Sequence, residues 1–282
     1  MKKLYWRAYA KINLTLDVLG LLENGYHSVE MVMQQVSLYD LVSISKASSG
    51  IYLTCSLPFL PCNADNLAYR AAEAFFAEAK MHTGAKIHIQ KHIPVGAGLA
   101  GGSSDAAAVL CGLNKLYGDV FSQSELCDIG TKIGADVPFC ICGGTCLARG
   151  IGERLTPVPK MPDCHIVLLK PAFSISTAWA YEKIDKCSIV HPDTARFLDE
   201  LEKQNLRAMC SAMGNVLEQV SAMQYPLISE AKKDLLRLGA LGAIMSGSGP
   251  TVFGVFESGA DAQKAKSGLW GRYKTAYTCV PI

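Results

Sequence analysis

Pro94-Val-Gly-Ala-Gly-Leu-Ala-Gly-Gly-Ser-Ser-Asp-Ala-Ala107 is the most informative segment of this chain. Four of its glycines lie within seven residues: Gly96, Gly98, Gly101 and Gly102. The preceding residues, 87–93, alternate as a strand does, and residues 106–116 form an apolar run rich in alanine. The pattern predicts a strand, a glycine loop and a helix, in that order.

The loop has the chemistry of a phosphate-binding site. Glycines without a Cβ atom allow positive φ angles and close approach of the backbone to a ligand. The start of the following helix offers N–H groups without intrahelical partners and the positive end of the helix dipole. Ser103 and Ser104 add hydroxyl groups, and Ser104 is a candidate ligand for magnesium. The alternative is a structural turn with small residues for close packing, because glycine clusters alone are weak signals.

Composition and charge exclude several classes of protein. The 282 residues, of which 50% are apolar and 18% charged, suffice for one large or two ordinary domains and are too apolar for a disordered protein. The net charge of +2 is too small to indicate attraction to nucleic acid or to a membrane. The N-terminal residues lack the apolar region of a secretory signal, and no segment approaches the ~20 apolar residues that span a bilayer. We therefore expect a cytoplasmic protein.

The eleven cysteines are expected to be reduced. Most lie in apolar segments, where thiols pack as small hydrophobic groups. The closest cluster, Cys140-x-Cys142-x₃-Cys146, lacks a C-x-x-C pair and a histidine at ligand spacing. The spacing therefore does not favour a structural zinc site.

Two segments near the N terminus carry polar residues of interest. Residues 10–19 alternate strictly, which places Lys11 and Asn13 on the polar face of a predicted strand. Tyr26 and His27 follow a predicted turn. From the residues alone, a solvated strand face and ordinary surface packing explain these side chains as well as a functional site does.

Three later segments leave similar alternatives open. Asp136 stands between a glycine and a proline, where an aspartate is a turn former, a helix cap or a catalytic carboxylate. Thr177 and Tyr181 lie in a predicted helix that opens near Ser174, and Tyr181 is as consistent with packing as with ligand contact. Gly247, Ser248 and Gly249 form a second glycine turn, which is also compatible with a simple hairpin.

The glycine loop is not a Walker loop, because no Gly-Lys-Ser/Thr ending follows it and Lys115 lies too far along the helix. It resembles instead the phosphate loop of the GHMP kinases, the superfamily of galactokinase, homoserine kinase and mevalonate kinase. The doubled glycine before Ser-Ser-Asp resembles the loop sequence of one GHMP branch, whose members phosphorylate a cytidine diphosphate-linked methylerythritol. Further matches to that branch follow in family order: Lys11–Asn13, Gly25–His27, Gly134–Phe139 and Met245–Phe253. The resemblance covers nearly the full length of the chain.

The resemblance implies a reaction and its participants. The reaction is ATP-dependent phosphorylation of the 2-hydroxyl of 4-(cytidine 5'-diphospho)-2-C-methyl-D-erythritol, in non-mevalonate isoprenoid biosynthesis, with Mg²⁺ as cofactor. The implied catalytic residues are Lys11 and Asp136. The implied ATP-binding residues are Pro94, Val95, Gly96, Ala97, Gly98, Leu99, Ala100, Gly101, Gly102, Ser103 and Ser104. The implied substrate-binding residues are Asn13, Tyr26, His27, Asp136, Thr177 and Tyr181.

Individual roles also follow from the resemblance. Asp136 is implied to accept the hydroxyl proton, and Lys11 to stabilise the nascent alkoxide. The Tyr26 ring is implied to stack on cytosine while His27 binds the edge of the base. The turn of Gly247, Ser248 and Gly249 is implied to support the phosphate loop. Val216 departs from the family, which carries an acidic residue there, so the role of the Asn215–Glu218 segment stays open.

The fold implied by the resemblance is α+β with two domains. Residues 1–158 form the N-terminal GHMP kinase domain, which is like ribosomal protein S5 domain 2 and holds the phosphate loop. Residues 159–282 form the ferredoxin-like C-terminal domain, after a stretch crowded with prolines. We expect a small-molecule substrate and no nucleic-acid or membrane partner; the sequence does not indicate an oligomeric state. The alternatives are another GHMP kinase, of the mevalonate or homoserine type, and a catalytically silent nucleotide-binding sensor.

Overall fold

A computed structural model describes residues 3–23, 25–273 and 275–282. Its strands are β1 (Lys3–Leu21), β2 (His27–Ala47), β3 (Gly50–Cys55), β4 (Gly84–Gln90), β5 (Thr145–Gly150), β6 (Arg154–Pro157), β7 (His165–Lys170), β8 (Gly214–Asn215), β9 (Gly242–Met245), β10 (Val252–Phe256) and β11 (Thr275–Cys279). Its helices are α1 (Leu67–Glu78), α2 (Gly101–Tyr117), α3 (Gln123–Thr131), α4 (Val137–Cys142), α5 (Thr177–Ile184), α6 (Thr194–Glu202), α7 (Leu206–Ala212), α8 (Val216–Gln224), α9 (Leu227–Arg237) and α10 (Gly259–Leu269).

The chain divides into two compact units that interleave along the sequence. The first unit comprises Met1–Ala10, Tyr39–Val95 and Ala100–Gly143, and the second comprises Lys11–Leu38, Gly96–Leu99 and Gly144–Ile282. Strands β1 and β2 contribute residues to both units. The predicted domain boundary between residues 158 and 159 stays a prediction.

In the first unit, β4 lies between β2 and β3, antiparallel to β2 and parallel to β3. Ile87 and Ile89 of β4 are buried, whereas the intervening His88 is exposed, as the alternating sequence predicts. Helix α2 approaches β2 closely, since a Cβ atom on Gly112 would lie 2.4 Å from Cδ1 of Ile44. A larger residue at position 112 would therefore require the Ile44 side chain to move.

The second unit contains parallel and antiparallel pairings. Strand β1 pairs with β8 in parallel, and β2 pairs with β5, which in turn pairs with β6. A four-stranded antiparallel sheet has the order β11-β7-β10-β9. All of β10 is buried, as are the central residues of β7, so this sheet carries much of the core of the unit.

Strand β2 is longer than the sequence predicts. The pattern indicates separate strands over residues 29–36 and 41–44, whereas His27–Ala47 is continuous. The polar interruption at Asp40 does not end the strand because its buried carboxylate is satisfied, accepting hydrogen bonds from Lys91 and from the N–H of Ile93. In the part of the chain that the structure describes, no helix combines the length and apolarity needed to cross a membrane.

Candidate active site

The glycine loop has the predicted order of strand, loop and helix. Strand β4 ends at Gln90 and α2 begins at Gly101, five residues before the predicted apolar run. Glycine fits this early start closely, because a Cβ atom on Gly101 would lie 3.0 Å from Cγ2 of Ile93 and 3.3 Å from Nζ of Lys91, so both side chains would have to shift slightly.

The backbone of the loop adopts left-handed conformations in series. Gly96 and Gly98 have φ angles of +58° and +74°, and Ala100 has +56°. Ala100 is the N-cap of α2 and provides no side-chain capping bond to the helix. The first turn of α2 therefore has the features of an anion-binding helix start.

Within the second unit, the loop residues Gly96–Leu99 pack on the glycine turn between β9 and β10. The hydroxyl of Ser246 donates to the carbonyl oxygen of Gly98 at 2.9 Å. A Cβ atom on Gly98 would lie 2.2 Å from the carbonyl oxygen of Ser246, so only glycine permits this approach. Gly247 and Gly249 in the turn also have positive φ angles, of +57° and +86°. The two glycine segments singled out in the sequence are thus brought together.

Lys11 and Asn13 lie beside this pair of glycine segments. The two residues are 4% and 0% exposed, which rules out a solvated strand face. Lys11 Nζ donates to Asn13 Oδ1 at 2.6 Å, and Lys11 N donates to the carbonyl oxygen of Leu99 at 3.2 Å. Asn13 N donates to Ser246 Oγ at 3.3 Å. An ammonium group this deeply buried requires polar partners, and the amide oxygen of Asn13 is one of them.

The segment that begins α5 also borders the glycine segments of the second unit. Thr177 Oγ1 lies 2.9 Å from Ser248 Oγ, and Ser176 caps the helix by accepting from the N–H of Trp179. A Cβ atom on Gly96 would lie 2.9 Å from Oγ of Ser174. Thr177 is thereby held against the second glycine turn.

The predicted base-binding residues are also partly brought together in the second unit. The rings of His27 and Tyr181 have centroids 4.9 Å apart, and Nε2 of His27 lies 2.8 Å from Oδ1 of Asp185. Tyr26 is 61% exposed. Sequence reasoning missed Asp185, because an aspartate at the end of a charged surface helix carries no distinguishing signal.

In the first unit, Asp136 occupies the N-cap position of α4, but its side chain makes no capping hydrogen bond. The capping alternative for this carboxylate is therefore wrong, and the group is half-buried. Its segment adjoins the start of α2, since a Cβ atom on Gly134 would lie 3.8 Å from Oγ of Ser103. Lys11 belongs to the second unit, so the predicted proximity of Lys11 to Asp136 stays a prediction.

Ser104 fits the role of a magnesium ligand poorly. It is 1% exposed, its hydroxyl donates to the carbonyl oxygen of Tyr9 at 2.6 Å, and Oγ lies 3.3 Å from Sγ of Cys140. These contacts anchor α2 within the first unit. Among residues 3–23, 25–273 and 275–282, no group of three or more His, Cys, Asp or Glu side chains is arranged to hold a metal ion.

A buried charged cluster in the first unit was not predicted. Lys91 Nζ contacts carboxylate oxygens of both Asp40 and Asp105, and all three side chains are at most 6% exposed. Asp40 Oδ1 also accepts from the backbone N–H of Ile93 at 2.8 Å. Burial raises the pKa of the Asp105 carboxyl to about 8, despite the neighbouring ammonium group. The cluster joins the residues before the glycine loop to the helix after it.

The Asn215–Glu218 segment supports the second glycine turn. Asn215 Nδ2 donates to the carbonyl oxygens of Met245 and Gly247, at 2.7 and 2.8 Å, while its Oδ1 caps α8. Glu218 Oε2 accepts from the N–H of Met245 at 2.7 Å. Val216, where the family carries an acidic residue, is fully buried. The segment therefore keeps a structural function that does not depend on an acidic side chain at position 216.

Comparisons with known proteins extend over both units. The family model described as GHMP kinases N terminal domain matches residues 66–144, and that described as GHMP kinases C terminal matches residues 197–274. Proteins named 4-diphosphocytidyl-2-C-methyl-D-erythritol kinase are similar along their length. The one from Acetivibrio thermocellus is 47% identical over 95% of both chains, and the one from Alkaliphilus oremlandii is 49% identical over 98% of this chain and 96% of its own.

Solved structures give the same result for the fold. The crystal structure of a 4-(cytidine 5'-diphospho)-2C-methyl-D-erythritol kinase has a TM-score of 0.85 and 32% identity, and covers 99% of both chains. A homoserine kinase from Cytophaga hutchinsonii has a TM-score of 0.82 at 19% identity, over 100% of this chain and 95% of its own. The predicted GHMP kinase fold is therefore confirmed.

Proposed function

The chain belongs to the 4-diphosphocytidyl-2-C-methyl-D-erythritol kinases of the GHMP family, and from this membership we propose that it transfers the γ-phosphoryl group of ATP to the 2-hydroxyl of 4-(cytidine 5'-diphospho)-2-C-methyl-D-erythritol. The observation that carries the proposal is identity of 47% and 49% with two kinases of that name, over at least 95% of this chain. The homoserine kinase shares the fold at only 19% identity, so that alternative is not favoured. The reaction is a step in isoprenoid precursor biosynthesis.

The glycine loop is the proposed ATP phosphate site. Phosphoryl transfer requires mainly positioning and neutralisation of charge. Positive φ angles at Gly96, Gly98 and Ala100 support this role, as does the uncapped start of α2, because both present backbone N–H groups to an anion. The packing of Ser246 on Gly98 fixes the loop before ATP arrives. A preorganised loop avoids the cost of ordering it in the transition state.

Asp136 is the proposed general base, and Lys11 the proposed electrostatic partner of the nascent alkoxide. Asp136 is half-buried at the start of α4, in the segment that adjoins the start of α2, and its carboxylate is a group that can accept the proton of the 2-hydroxyl. The ammonium group of Lys11 donates to Asn13 Oδ1, and the backbone N–H of Lys11 donates to Leu99, so the side chain and the strand that carries it are both held in place. This mechanism requires both groups to reach the same hydroxyl.

Cytosine recognition is proposed for Tyr26, His27 and Tyr181. Stacking of a base on an aromatic ring contributes ~1–3 kcal/mol, and the exposed ring of Tyr26 offers a face for it. Asp185 holds the ring of His27 in one orientation, which gives its hydrogen bonding a fixed direction. Tyr181 lies beside that imidazole. The proposed contacts of Asn13 and Thr177 with substrate are supported by their positions at the glycine segments.

Magnesium is proposed to accompany ATP. Mg²⁺ keeps several waters and takes oxygens from substrate phosphates, so it does not require a dedicated set of protein ligands. A bound Mg²⁺ ion would neutralise part of the negative charge on the phosphates. Because Ser104 fits poorly, we assign no protein ligand. We further propose that the chain works in the cytoplasm and that its domains divide between residues 158 and 159.

The proposed function is tested by measuring ADP release from the purified chain with ATP and Mg²⁺. We expect release to depend on 4-(cytidine 5'-diphospho)-2-C-methyl-D-erythritol, with a 2-phosphate product detected by mass spectrometry. Mevalonate and homoserine serve as matched acceptors and are expected to give only background release. Turnover with either of them in place of the cytidine compound would assign another GHMP kinase, and ATP binding without turnover on any acceptor would indicate a sensor.

A further inference from the structure

Cys127 and Cys142 bring two thiol groups together on neighbouring helices of the first unit. Cys127 lies within α3 and Cys142 is the last residue of α4, and their sulfur atoms are 3.7 Å apart. Cys142 is exposed and Cys127 is half-buried. A disulfide has an S–S distance of about 2.05 Å, so the two sulfur atoms must approach by about 1.7 Å to form one.

The two sulfur atoms differ in acidity in a way that suits thiol–disulfide exchange. A hydrogen bond from the Cys127 thiol lowers the pKa of Cys142 to about 7, against the opposing effect of burial. The same interaction, together with burial, raises the pKa of Cys127. Because Cys142 is exposed and Cys127 is half-buried, a dissolved disulfide reaches Cys142 first, so Cys142 is the attacking thiol and Cys127 the resolving thiol.

Other cysteines provide a contrast. Burial raises the pKa of Cys111 to about 11 and that of Cys164 and Cys210 to about 12, which makes those thiols poor nucleophiles. Cys140, on the same helix as Cys142, is half-buried and its sulfur lies 3.3 Å from Ser104 Oγ. Cys140 therefore serves as a control for Cys142, because it lies on the same helix but its sulfur contacts a different group.

From this geometry we propose that Cys127 and Cys142 are a redox-active dithiol whose oxidant is a low-molecular-weight disulfide. The thiolate of Cys142 attacks one sulfur of the small disulfide, displaces one thiolate and forms a mixed disulfide. Cys127 then loses its proton and attacks the sulfur of Cys142, which displaces the second small thiolate. Two protein thiols and one small disulfide thus become one protein disulfide and two small thiols, and two electrons leave the protein. The proposal does not depend on the kinase activity.

The test uses the full-length chain incubated with glutathione disulfide, alkylated at its remaining thiols and digested with trypsin. Cleavage after Lys115, Lys132 and Arg149 yields peptides 116–132, with Cys127 alone, and 133–149, with Cys140, Cys142 and Cys146. We expect the two peptides joined, about 2 Da lighter than their reduced sum, and separated again by dithiothreitol. Absence of the joined peptide would overturn the proposal.

Matched variants assign the link to the correct sulfur atoms. Cys142→Ser is expected to abolish the joined peptide, whereas Cys140→Ser is expected to retain it. Cys127→Ser is expected to leave Cys142 as a stable mixed disulfide with glutathione, because the resolving thiol is missing. A link that persists in Cys142→Ser, or a Cys127→Ser protein without glutathione on Cys142, would contradict the proposal. Thermal unfolding of each variant verifies that it is folded.

Discussion

The ammonium nitrogen of Lys91 lies 2.7 Å from a carboxyl oxygen of Asp105, in a place where both side chains are at most 6% exposed. Lys91 directly follows β4, and Asp105 lies in the second turn of α2. Asp40 adds a second carboxyl group to the same ammonium and accepts from the backbone N–H of Ile93. One buried cation therefore ties together the residues on either side of the glycine loop within the first unit.

Lys91→Met is expected to lower the free energy of unfolding by ~3–5 kcal/mol, because it leaves two buried carboxyl groups without their cation. Urea unfolding measures the change. Lys86→Met is the matched control, since Lys86 is exposed on β4, the strand that Lys91 follows, and its loss is expected to cost less than about 0.5 kcal/mol. Equal effects of the two substitutions would show that the buried cluster does not stabilise the fold.

Asp105 is expected to make stability depend on pH. Its pKa in the folded chain, about 8, lies above the ordinary value of 3.8, so the folded state holds a proton that the unfolded chain has lost. This contribution to stability is complete below the ordinary pKa and is lost as the pH rises through about 8. Unfolding free energies from pH 6 to 9 should therefore fall more steeply in the wild type than in Asp105→Asn. If the unfolding free energies of the two proteins changed in parallel with pH, the raised pKa assigned to Asp105 would be refuted.

Asn215→Ala is expected to disturb the second glycine turn and, through it, the phosphate loop. The substitution removes hydrogen bonds to the carbonyl oxygens of Met245 and Gly247, and a misplacement of about 1 Å can cost up to ~10²-fold in rate. We expect kcat/KM for ATP to fall at least ~10-fold. Asn205→Ala, which removes a cap of the same residue type from α7, should leave kcat/KM nearly unchanged. Equal losses in both variants would reduce Asn215 to an ordinary helix cap.

Tyr26→Ala is expected to raise the KM for the cytidine substrate by ~5- to 150-fold, which corresponds to the ~1–3 kcal/mol of one stacked base. The KM for ATP should not change. Tyr5→Ala is the matched control, because Tyr5 and Tyr26 are each 61% exposed. Steady-state kinetics with each substrate varied separately distinguish the outcomes. An unchanged KM for the cytidine substrate in Tyr26→Ala would remove the stacking role.

The sequence predicted those elements that are determined by residues close together in the chain. The predicted order of strand, glycine loop and helix is confirmed. The capping residue Asn66 and the spacing Ser122-x-x-Glu125 are local patterns that predict a helix from Leu67 and a capping box, and the structure contains both. These features depend on residues a few positions apart, whose propensities and hydrogen bonds act within one element.

Contacts between distant residues could not be predicted in the same way. Lys91 lies 51 residues after Asp40, and no spacing rule connects them. The strand of Lys11 and Asn13 alternates as if one face were solvated, yet Asn13 contacts a residue 233 positions away. Burial of that face depends on elements formed much later in the chain. Only the folded arrangement shows that this lysine is enclosed.

The most direct test of the proposed kinase mechanism is the kcat of Asp136→Asn, measured beside Lys11→Ala and the exposed control Asp128→Asn. The proposed roles predict that kcat falls by ~10²–10⁴-fold in the first two variants, while ATP still binds and the control turns over normally. Near-wild-type turnover by Asp136→Asn would contradict the assignment of this carboxylate as the general base.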